Sequence, residues 1–324
     1  MKRRLHKRLF LLIVLFLAGS CCVYLKNKII LQEQVIEISK DIKKNEIYPL
    51  YIEHISASIY ENADEVSHQA HKKDWKYLKE LKEKLKGDDL SRGIKFEEDF
   101  LRAYLISTDY EIDIAFWKIL NFLRLRENHE YFFRNVSFDF TQYEDYRFVS
   151  KLPHRLKDGS VTMVFQLGKW NPDIVPLEIL KQIIFMVHVQ ELRNPMTQAS
   201  GFNIIYDFKD SGFRHLKYGT PYNLRLIHDV SFEALPARFL GFHMININSI
   251  GRILLALARP FLPQYVEKIF YTHSSLKELL NYYPVSMLPV EYGGNLTDYY
   301  PDDWIRNANK EHGNFPLGGL KNIF

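Results

Sequence analysis

The stretch Gly201-Phe-Asn-Ile-Ile-Tyr-Asp-Phe208 indicates the fold class of this chain most directly. After its first residue, a glycine, it is rich in apolar, β-branched and aromatic residues, a composition typical of a β-strand. Side chains of a strand alternate between its two faces, so Phe202, Ile204, Tyr206 and Phe208 share one face. Four apolar side chains on one face predict that this strand packs against another layer of the protein.

Runs of the same character flank this strand at a distance, and helical patterns lie between them. The predicted strands are Val161–Leu167 and Gly241–Ile247, and the predicted helices run from about Asp173 to Leu192, from about Pro221 to Phe232 and from Ile250 to Phe261. Phe242 and Met244 share one face of the third strand. Strands alternating with helices predict an α/β fold with a mixed, mostly parallel sheet.

The amino-terminal third reads as helices. Trp75, Leu78, Leu81 and Leu85 recur at steps of three and four residues, and the turn residues 87–89 end that pattern. Residues 107–109 separate two further helices and are predicted to cap the second. We therefore divide the chain into an apolar segment 1–28, a helical domain 29–134, an α/β domain 135–300 and an extended tail 301–324.

The first 25 residues combine a basic cluster with an uncharged apolar run, Leu9 to Leu25. Seventeen residues of helix span about 25 Å, barely the hydrocarbon core of a bilayer, so the run fits a single membrane anchor slightly better than a cleaved signal. The five basic residues upstream favour a cytosolic amino terminus. Asn135 and Asn295 match the N-glycosylation pattern, and modification of either would settle the topology. We expect membrane association, with the side left open.

The composition argues against several function classes. The net charge is +4, which gives no support to nucleic-acid binding. The two cysteines, Cys21 and Cys22, are adjacent in the apolar run and cannot form a disulfide framework or a zinc cluster. The sequence carries no nucleophile elbow, P-loop or dinucleotide glycine pattern. We expect a protein that is not an enzyme and that needs no cofactor or metal.

Histidines are the remaining candidates for specific chemistry. His68 and His71 lie in a charged helical stretch and are interpreted as surface residues. His188 and His243 each lie within an apolar element, where a histidine is either a satisfied core residue or a ligand contact. The sequence leaves both interpretations open.

Several spaced motifs resemble those of one family. They are Gly168-Lys-Trp-Asn-Pro172, Gly201 to Asp207, Leu235-Pro-Ala-Arg-Phe-Leu-Gly-Phe-His-Met-Ile-Asn246, Arg259-Pro-Phe-Leu262 and Leu288-Pro-Val-Glu-Tyr-Gly-Gly294, preceded by the helical stretch Phe100 to Leu105. In this order they resemble the CRAL-TRIO lipid-binding family, in the branch that contains the tocopherol and retinaldehyde carriers. The likeness covers about residues 75 to 295.

The resemblance implies an apolar ligand cavity between the sheet and its helices, closed by a lid helix. Matched position by position, the residues implied to line the cavity are His188, Phe202, Tyr206, Ile227, Val230, Ser231, Leu235 and Phe242. The stretch Ile250 to Phe261 matches the lid, with the apolar stripe Ile250, Ile253, Leu254, Leu257 and Phe261. His188 is the hypothetical hydrogen-bonding partner of a ligand head group.

A phosphoinositide-binding cleft, the other feature that the resemblance implies, is only partly retained. The membrane-contact candidates are Arg238, Arg252, Arg259 and Lys268, but Leu240, Tyr265 and Ile269 occupy positions that are basic in the family. We therefore expect weak or no phosphoinositide selectivity.

The function that the resemblance implies is binding of one hydrophobic molecule and its transfer between membranes. The partners expected are the lipid ligand and a membrane surface, with no nucleic acid and a monomeric chain. Tocopherol, a retinoid and a phospholipid all remain open as cargo. The alternative is a membrane-anchored lipid sensor or adaptor without net transfer, which a permanent anchor would favour.

Overall fold

The computed structural model of the protein describes residues 48–49, 75–134, 136, 148–297, 304–305 and 308. The predictions for the apolar segment 9–25, the two cysteines, His68, His71 and Asn135 fall outside this part of the chain. Within the described part, no helix is both long and apolar enough to cross a bilayer.

The described residues of the helical domain form three α-helices and one 3₁₀ turn: α1 (75–87), α2 (Glu98–Ser107), α3 (Ile112–Asn128) and the 3₁₀ turn Glu130–Phe133. The predicted capping role of residues 107–109 is wrong. The hydroxyl of Thr108 donates to the carbonyl of Tyr104 at 2.9 Å and so closes α2. Helix α3 begins after Glu111, which provides no side-chain cap.

The second domain is built on one five-stranded sheet. The strands of the described residues are β1 (Tyr48–Pro49), β2 (Val149–Lys151), β3 (His154–Arg155), β4 (Val161–Gln166), β5 (Phe202–Asp207), β6 (Phe239–Ile245) and β7 (Phe270–Thr272). The sheet has the order β2-β4-β5-β6-β7, and β1 and β3 form a separate antiparallel ribbon. Strand β2 is antiparallel to β4, and all other neighbours in the sheet are parallel. The predicted mixed, mostly parallel sheet is confirmed.

Helices follow the parallel strands. They are α4 (Leu177–Glu191), α5 (Pro195–Ser200), α6 (Phe213–Leu216), α7 (Pro221–His228), the π-helical segment Asp229–Ala234 and α8 (Ser249–Ala258). Short 3₁₀ turns complete the domain at Leu167–Lys169, Arg259–Phe261, Gln264–Ile269, Leu276–Asn281 and Val290–Tyr292. Helix α8 ends before Arg259-Pro260, so the predicted single helix from Ile250 to Phe261 is an α-helix followed by a 3₁₀ turn.

The sheet has a different apolar core on each face. The larger core contains Phe202, Ile204, Phe208, Phe242 and Met244, which confirms the predicted alternation. It continues into the helical domain, because the rings of Phe133 and Phe185 meet at 5.0 Å across the boundary. The smaller core, on the other face, joins Val164, Ile205 and Ile245 to the carboxyl-terminal segment 276–292.

Part of the predicted extended tail is helical and packed. Trp304 and Ile305 are helical and buried, and the amine of Lys151 lies 5.1 Å above the Trp304 ring. The prediction of an extended tail is therefore wrong at these positions, because their apolar side chains pack on the larger core. Most of segment 301–324 lies outside the described residues.

Candidate functional site

A continuous set of aromatic rings covers the larger core face of the sheet between β4, β5, β6 and the helices. Phe202 of β5 lies 5.8 Å from Phe239 of β6, and Phe239 lies 5.2 Å from Phe242. Phe232 of the π-helical segment closes over Phe239 at 5.5 Å. The predicted lining residues Phe202 and Phe242 are thus brought together, and Phe239 and Phe232 join them.

Phe239 reaches this face because of an irregularity in the sheet. The pairing of β5 with β6 shifts by one residue between Phe202 and Asn203, so Phe202 faces Phe239 while Ile204 faces Phe242. Strict alternation from Phe242 would have placed Leu240 on this face and Phe239 on the other. No residue pattern in the sequence indicated this bulge, and sequence analysis therefore missed Phe239.

His188 lies on α4 with its ring against this aromatic set. The ring is 5.3 Å from Phe202, 6.1 Å from Phe239 and stacked at 5.9 Å on Phe165. Its Nδ1 is 2.7 Å from the carbonyl oxygen of Ile184 in the preceding helical turn. A carbonyl can only accept a hydrogen bond, so Nδ1 carries the proton. Burial lowers the pKa of His188, and the ring is neutral at physiological pH.

Tyr206 has an unusual combination of exposure and desolvation. It lies on β5, the middle strand of the sheet, and its ring stacks on Phe165 at 5.3 Å, yet its side chain is only half-buried. Removal of water from its surroundings raises the pKa of its hydroxyl to about 12. Tyr265, against Phe232, is likewise half-buried, and burial raises its pKa.

The segment after α7 supplies three of the predicted lining residues. Val230 and Leu235 are buried and Ser231 is half-buried, all around the π-helical turn. A hydrogen bond from the helical domain stabilises that turn: the hydroxyl of Tyr104 donates to the carbonyl of Ala234 at 2.9 Å. Ile227 does not belong to this lining: its side chain is 53% exposed, so the implied role is wrong for this residue. The helix ends one residue later, and the wider π turn carries only the following residues inward.

Helix α8 matches the implied lid and is fixed at its amino terminus. The side chain of Asn248 accepts from the backbone of Gly251 at 2.9 Å and donates to the carbonyls of Phe208 and Ser211 at 3.1 and 2.9 Å. Gly251 lies flat on Phe208, since a methyl group there would be 2.9 Å from the ring. Asn248 and Gly251 thus join the start of α8 to the end of β5.

The apolar stripe of α8 does not face one way. Ile250 is buried and Leu254 and Phe261 are half-buried, whereas Ile253 and Leu257 are 44% and 42% exposed. Leu254 packs against Gly219, which lies just before α7. A methyl group on Gly219 would be 2.9 Å from the Cδ2 atom of Leu254. The helix therefore presents two large apolar side chains outward.

The predicted basic contacts have different surroundings. Arg252 and Arg259 are exposed, and Arg259 lies 3.5 Å from Glu267. Lys268 is exposed in the turn before β7. Arg238 instead binds Asp109 of the helical domain through both nitrogens at 2.9 and 3.1 Å. The structure does not gather the four into one cluster: Arg238 links the two domains.

His243 lies on the opposite face of the sheet. Its Nδ1 is 3.0 Å from Nε2 of His273, and its ring packs against Tyr271, Tyr282 and Tyr283 at 4.7 to 5.2 Å. His273 in turn has Nδ1 3.6 Å from a carboxylate oxygen of Glu278. The interpretation as a satisfied core histidine is confirmed for His243, and contact with a ligand on the larger core face is excluded by its position.

The motif residues meet at the carboxyl ends of the parallel strands. Asp207 of β5 accepts from the amide of Asn246 at 2.8 Å and from the hydroxyl of Tyr292 at 3.0 Å. Gln166 of β4 donates to that same hydroxyl at 2.8 Å and to Glu291 at 3.1 Å. The segment that follows needs glycine, since a methyl group on Gly294 would lie 1.9 Å from the carbonyl oxygen of Leu288. Three of the spaced motifs, those that contain Asp207, Asn246 and Tyr292, are thus hydrogen-bonded to one another at this edge.

This combination of sheet, helix α8 and motif edge agrees with a match to a known family model. Residues 149–294 match the model of the CRAL/TRIO domain. The matched region covers 146 of the 324 residues. The matched region begins with β2 and ends with the glycine pair at 293–294. It therefore contains every strand of the five-stranded sheet. The family predicted from the motifs is confirmed.

Two curated proteins are similar to this chain in sequence. The human protein named "Alpha-tocopherol transfer protein-like" is 22% identical over 239 residues, covering 72% of this chain and 69% of its own length. Clavesin-2 of Rattus norvegicus is 29% identical over 150 residues, 46% of each chain. The solved structure titled "Crystal structure of Sfh5" is 11% identical over 66% of this chain and 80% of its own, with a TM-score of 0.41.

Sequence analysis missed several residues of the site. Phe165, Phe232 and Phe239 contact the predicted lining residues directly. Phe165 was within reach of prediction, because alternation along β4 places it beside Tyr206. Among the described residues no group of histidine, cysteine or acidic side chains is arranged to hold a metal ion.

Proposed function

We propose that this protein binds one hydrophobic lipid-like molecule between the larger core face of the sheet and helices α4, α7 and α8, and transfers it between membranes. The CRAL/TRIO match and the aromatic lining support a lipid-binding role. Under this proposal His188, Phe202, Tyr206, Val230, Ser231, Leu235 and Phe242 contact the ligand, and α8 is the lid.

The observation that carries the proposal is the state of Tyr206. A side chain in the middle of the sheet that keeps accessible surface must face either the outer solvent or an interior space. The ring of Tyr206 stacks on Phe165 at 5.3 Å and packs on the larger core, which argues against outer solvent, and the loss of water there raises the pKa of its hydroxyl to about 12. Half-buried Tyr265, whose pKa is raised for the same reason, supports the same conclusion. An interior space that is poorly hydrated and lined by rings suits an apolar ligand.

The lid explains how such a ligand could leave. Burying a ligand with roughly 400 Å² of apolar surface gains on the order of 10 kcal/mol before the costs of ordering, so spontaneous release would be slow. Ile253 and Leu257 point outward from α8, next to exposed Arg252 and Arg259. An apolar face with flanking cations is suited to insertion at a membrane surface, which would pull the lid from Phe208.

We further propose that the protein is a monomeric binding protein without catalytic activity or cofactor, held at membranes by segment 9–25. The absence of a nucleophile with a base in the sequence supports the first part, and the length and charge flanks of the segment support the second. The name of the human relative refers to transfer of alpha-tocopherol, which makes tocopherol one cargo to test beside a retinoid and a phospholipid.

The test is mass spectrometry of lipids that co-purify with the full chain, followed by transfer of a fluorescent tocopherol between vesicles. We expect one bound apolar species per chain and transfer that depends on the acceptor membrane. A purified chain that holds no lipid and takes up none would refute the proposal. Stoichiometric binding without transfer would instead favour the sensor or adaptor role that a permanent anchor suggests.

A further inference from the structure

The π-helical segment Asp229–Ala234, which carries Val230 and Phe232 into the candidate site, stops at a proline. Its winding is closed by the backbone N–H of Leu235, which donates to the carbonyl of Val230 at 3.0 Å. The next residue is Pro236, which has no N–H with which to continue the helix. The carbonyl groups of the last helical turn therefore need donors from another part of the protein.

The helical domain supplies these donors. Three of its side chains donate hydrogen bonds to three consecutive carbonyl groups: Tyr104 to Ala234 at 2.9 Å, Lys118 to Leu235 at 2.9 Å and Asn121 to Glu233 at 3.4 Å. Lys118 and Asn121 are three residues apart and share one face of α3, whereas Tyr104 belongs to α2. Ala234 and Leu235 are 1% and 3% exposed, so water could not replace a donor that was removed.

We propose that Tyr104, Lys118 and Asn121 are positioning residues. From the helical domain they hold segment 229–235 in its π-helical winding and thereby set the affinity of the site for its ligand. This inference rests on the proposed function, and it adds residues outside the matched CRAL/TRIO region to those that determine binding.

The winding of this segment decides where its side chains lie. A π-helical turn contains one more residue than an α-helical turn, so relaxation to α-helical winding would rotate the following residues by about 100° around the helix axis. Phe232 lies 5.5 Å from Phe239 and 6.1 Å from Phe242, and such a rotation would displace the segment relative to these rings of β6. The chain beyond the proline is also fixed, because Arg238 is paired with Asp109.

Hydrogen exchange of the purified full chain tests the positioning step without any lipid. The double variant Tyr104→Phe, Lys118→Met removes two donors and keeps the ring and the aliphatic chain. We expect amide exchange in segment 229–238 to become about tenfold faster, while strands β4 and β5 exchange as in the wild-type chain. The matched control, Tyr77→Phe with Lys84→Met, makes the same two chemical changes elsewhere in the helical domain and should leave exchange in that segment unchanged.

The affinity for a fluorescent tocopherol is the second readout. We expect it to fall about tenfold in the double variant and to stay at the wild-type value in the matched control. Lys118→Arg keeps an N–H donor and should bind as the wild-type chain does.

Unchanged exchange of segment 229–238 in the double variant would overturn the inference and leave the carrier function standing. Faster exchange throughout the helical domain would overturn it too, because it would show only a loss of general stability, as would a local opening without loss of tocopherol affinity. A wild-type chain that takes up no lipid would refute the carrier function and the effect on affinity together. The exchange result would then decide separately whether the helical domain positions the segment.

Discussion

Acidification should destabilise the protein through the histidine pair on the smaller core face. Burial, together with the neighbouring His273, lowers the pKa of His243 to about 3, and burial also lowers the pKa of His273. In the unfolded chain both return to about 6.5. Between these pH values the histidines of the unfolded chain are protonated and those of the folded chain are not. Their contribution to the free energy of unfolding is therefore fully present above about pH 6.5 and decreases as the pH falls.

The magnitude follows from the shift of His243. At pH 5 the unfolded imidazole lies about 1.5 pH units below its pKa, whereas the folded one is still neutral. Each unit is worth about 1.4 kcal/mol, so His243 alone should cost about 2 kcal/mol between pH 7.5 and pH 5. His273 adds to this in the same direction. Glu278 does not oppose it in this window, because its pKa is held below its usual value by Ser274.

The assay is urea unfolding at several values between pH 7.5 and pH 5, followed by tryptophan fluorescence. His243→Phe keeps a ring between the tyrosines and should reduce the loss of stability by about 2 kcal/mol. Tyr282→Phe changes a neighbouring ring without adding or removing a group that titrates in this window, and should retain the wild-type dependence. An unchanged pH dependence in His243→Phe would refute the assignment to this pair.

Three further predictions concern the lid and the membrane. Glutamate at both Ile253 and Leu257 should slow vesicle-to-vesicle transfer at least tenfold while leaving lipid affinity nearly unchanged, since both side chains point outward; a parallel loss of binding would contradict this. Gly251→Val should speed spontaneous dissociation of a fluorescent lipid several-fold in stopped-flow measurements, because the new side chain displaces α8 from Phe208; slower release would count against the lid. Vesicle flotation should show a preference for phosphoinositides below about twofold, because the guanidinium group of Arg238 is already paired with the carboxylate of Asp109. A strong preference would overturn that expectation.

The sequence predicted the strand and helix order because periodicity and turn residues are local properties. Val161–Gln166 and Phe202–Asp207 lie within one residue of their predicted ends, and the facing of Ile204 and Phe242 follows from alternation alone. The edge strand Val149–Lys151 was missed because three residues are too few for a periodic signal. The spaced motifs identified the family by their order along the chain, and three of them meet at one edge of the sheet through Asp207, Asn246 and Tyr292.

The candidate site was only partly predictable. Position matching placed His188, Phe202, Tyr206 and Phe242 correctly beside one another, but it placed Ile227 in the lining, and only the π turn after α7 shows that this side chain points outward. Phe239 joined the site through a bulge between β5 and β6, which depends on how two strands pair.

By itself, the sequence determined the order of elements, the faces of the strands and the family, since these depend on the spacing of side chains along the chain. Tertiary structure alone decided the bulge between β5 and β6 and the packing of His188 on Phe202 and Phe239. Each of these depends on contacts between residues that are far apart in sequence, and spacing along the chain carries no information about such contacts.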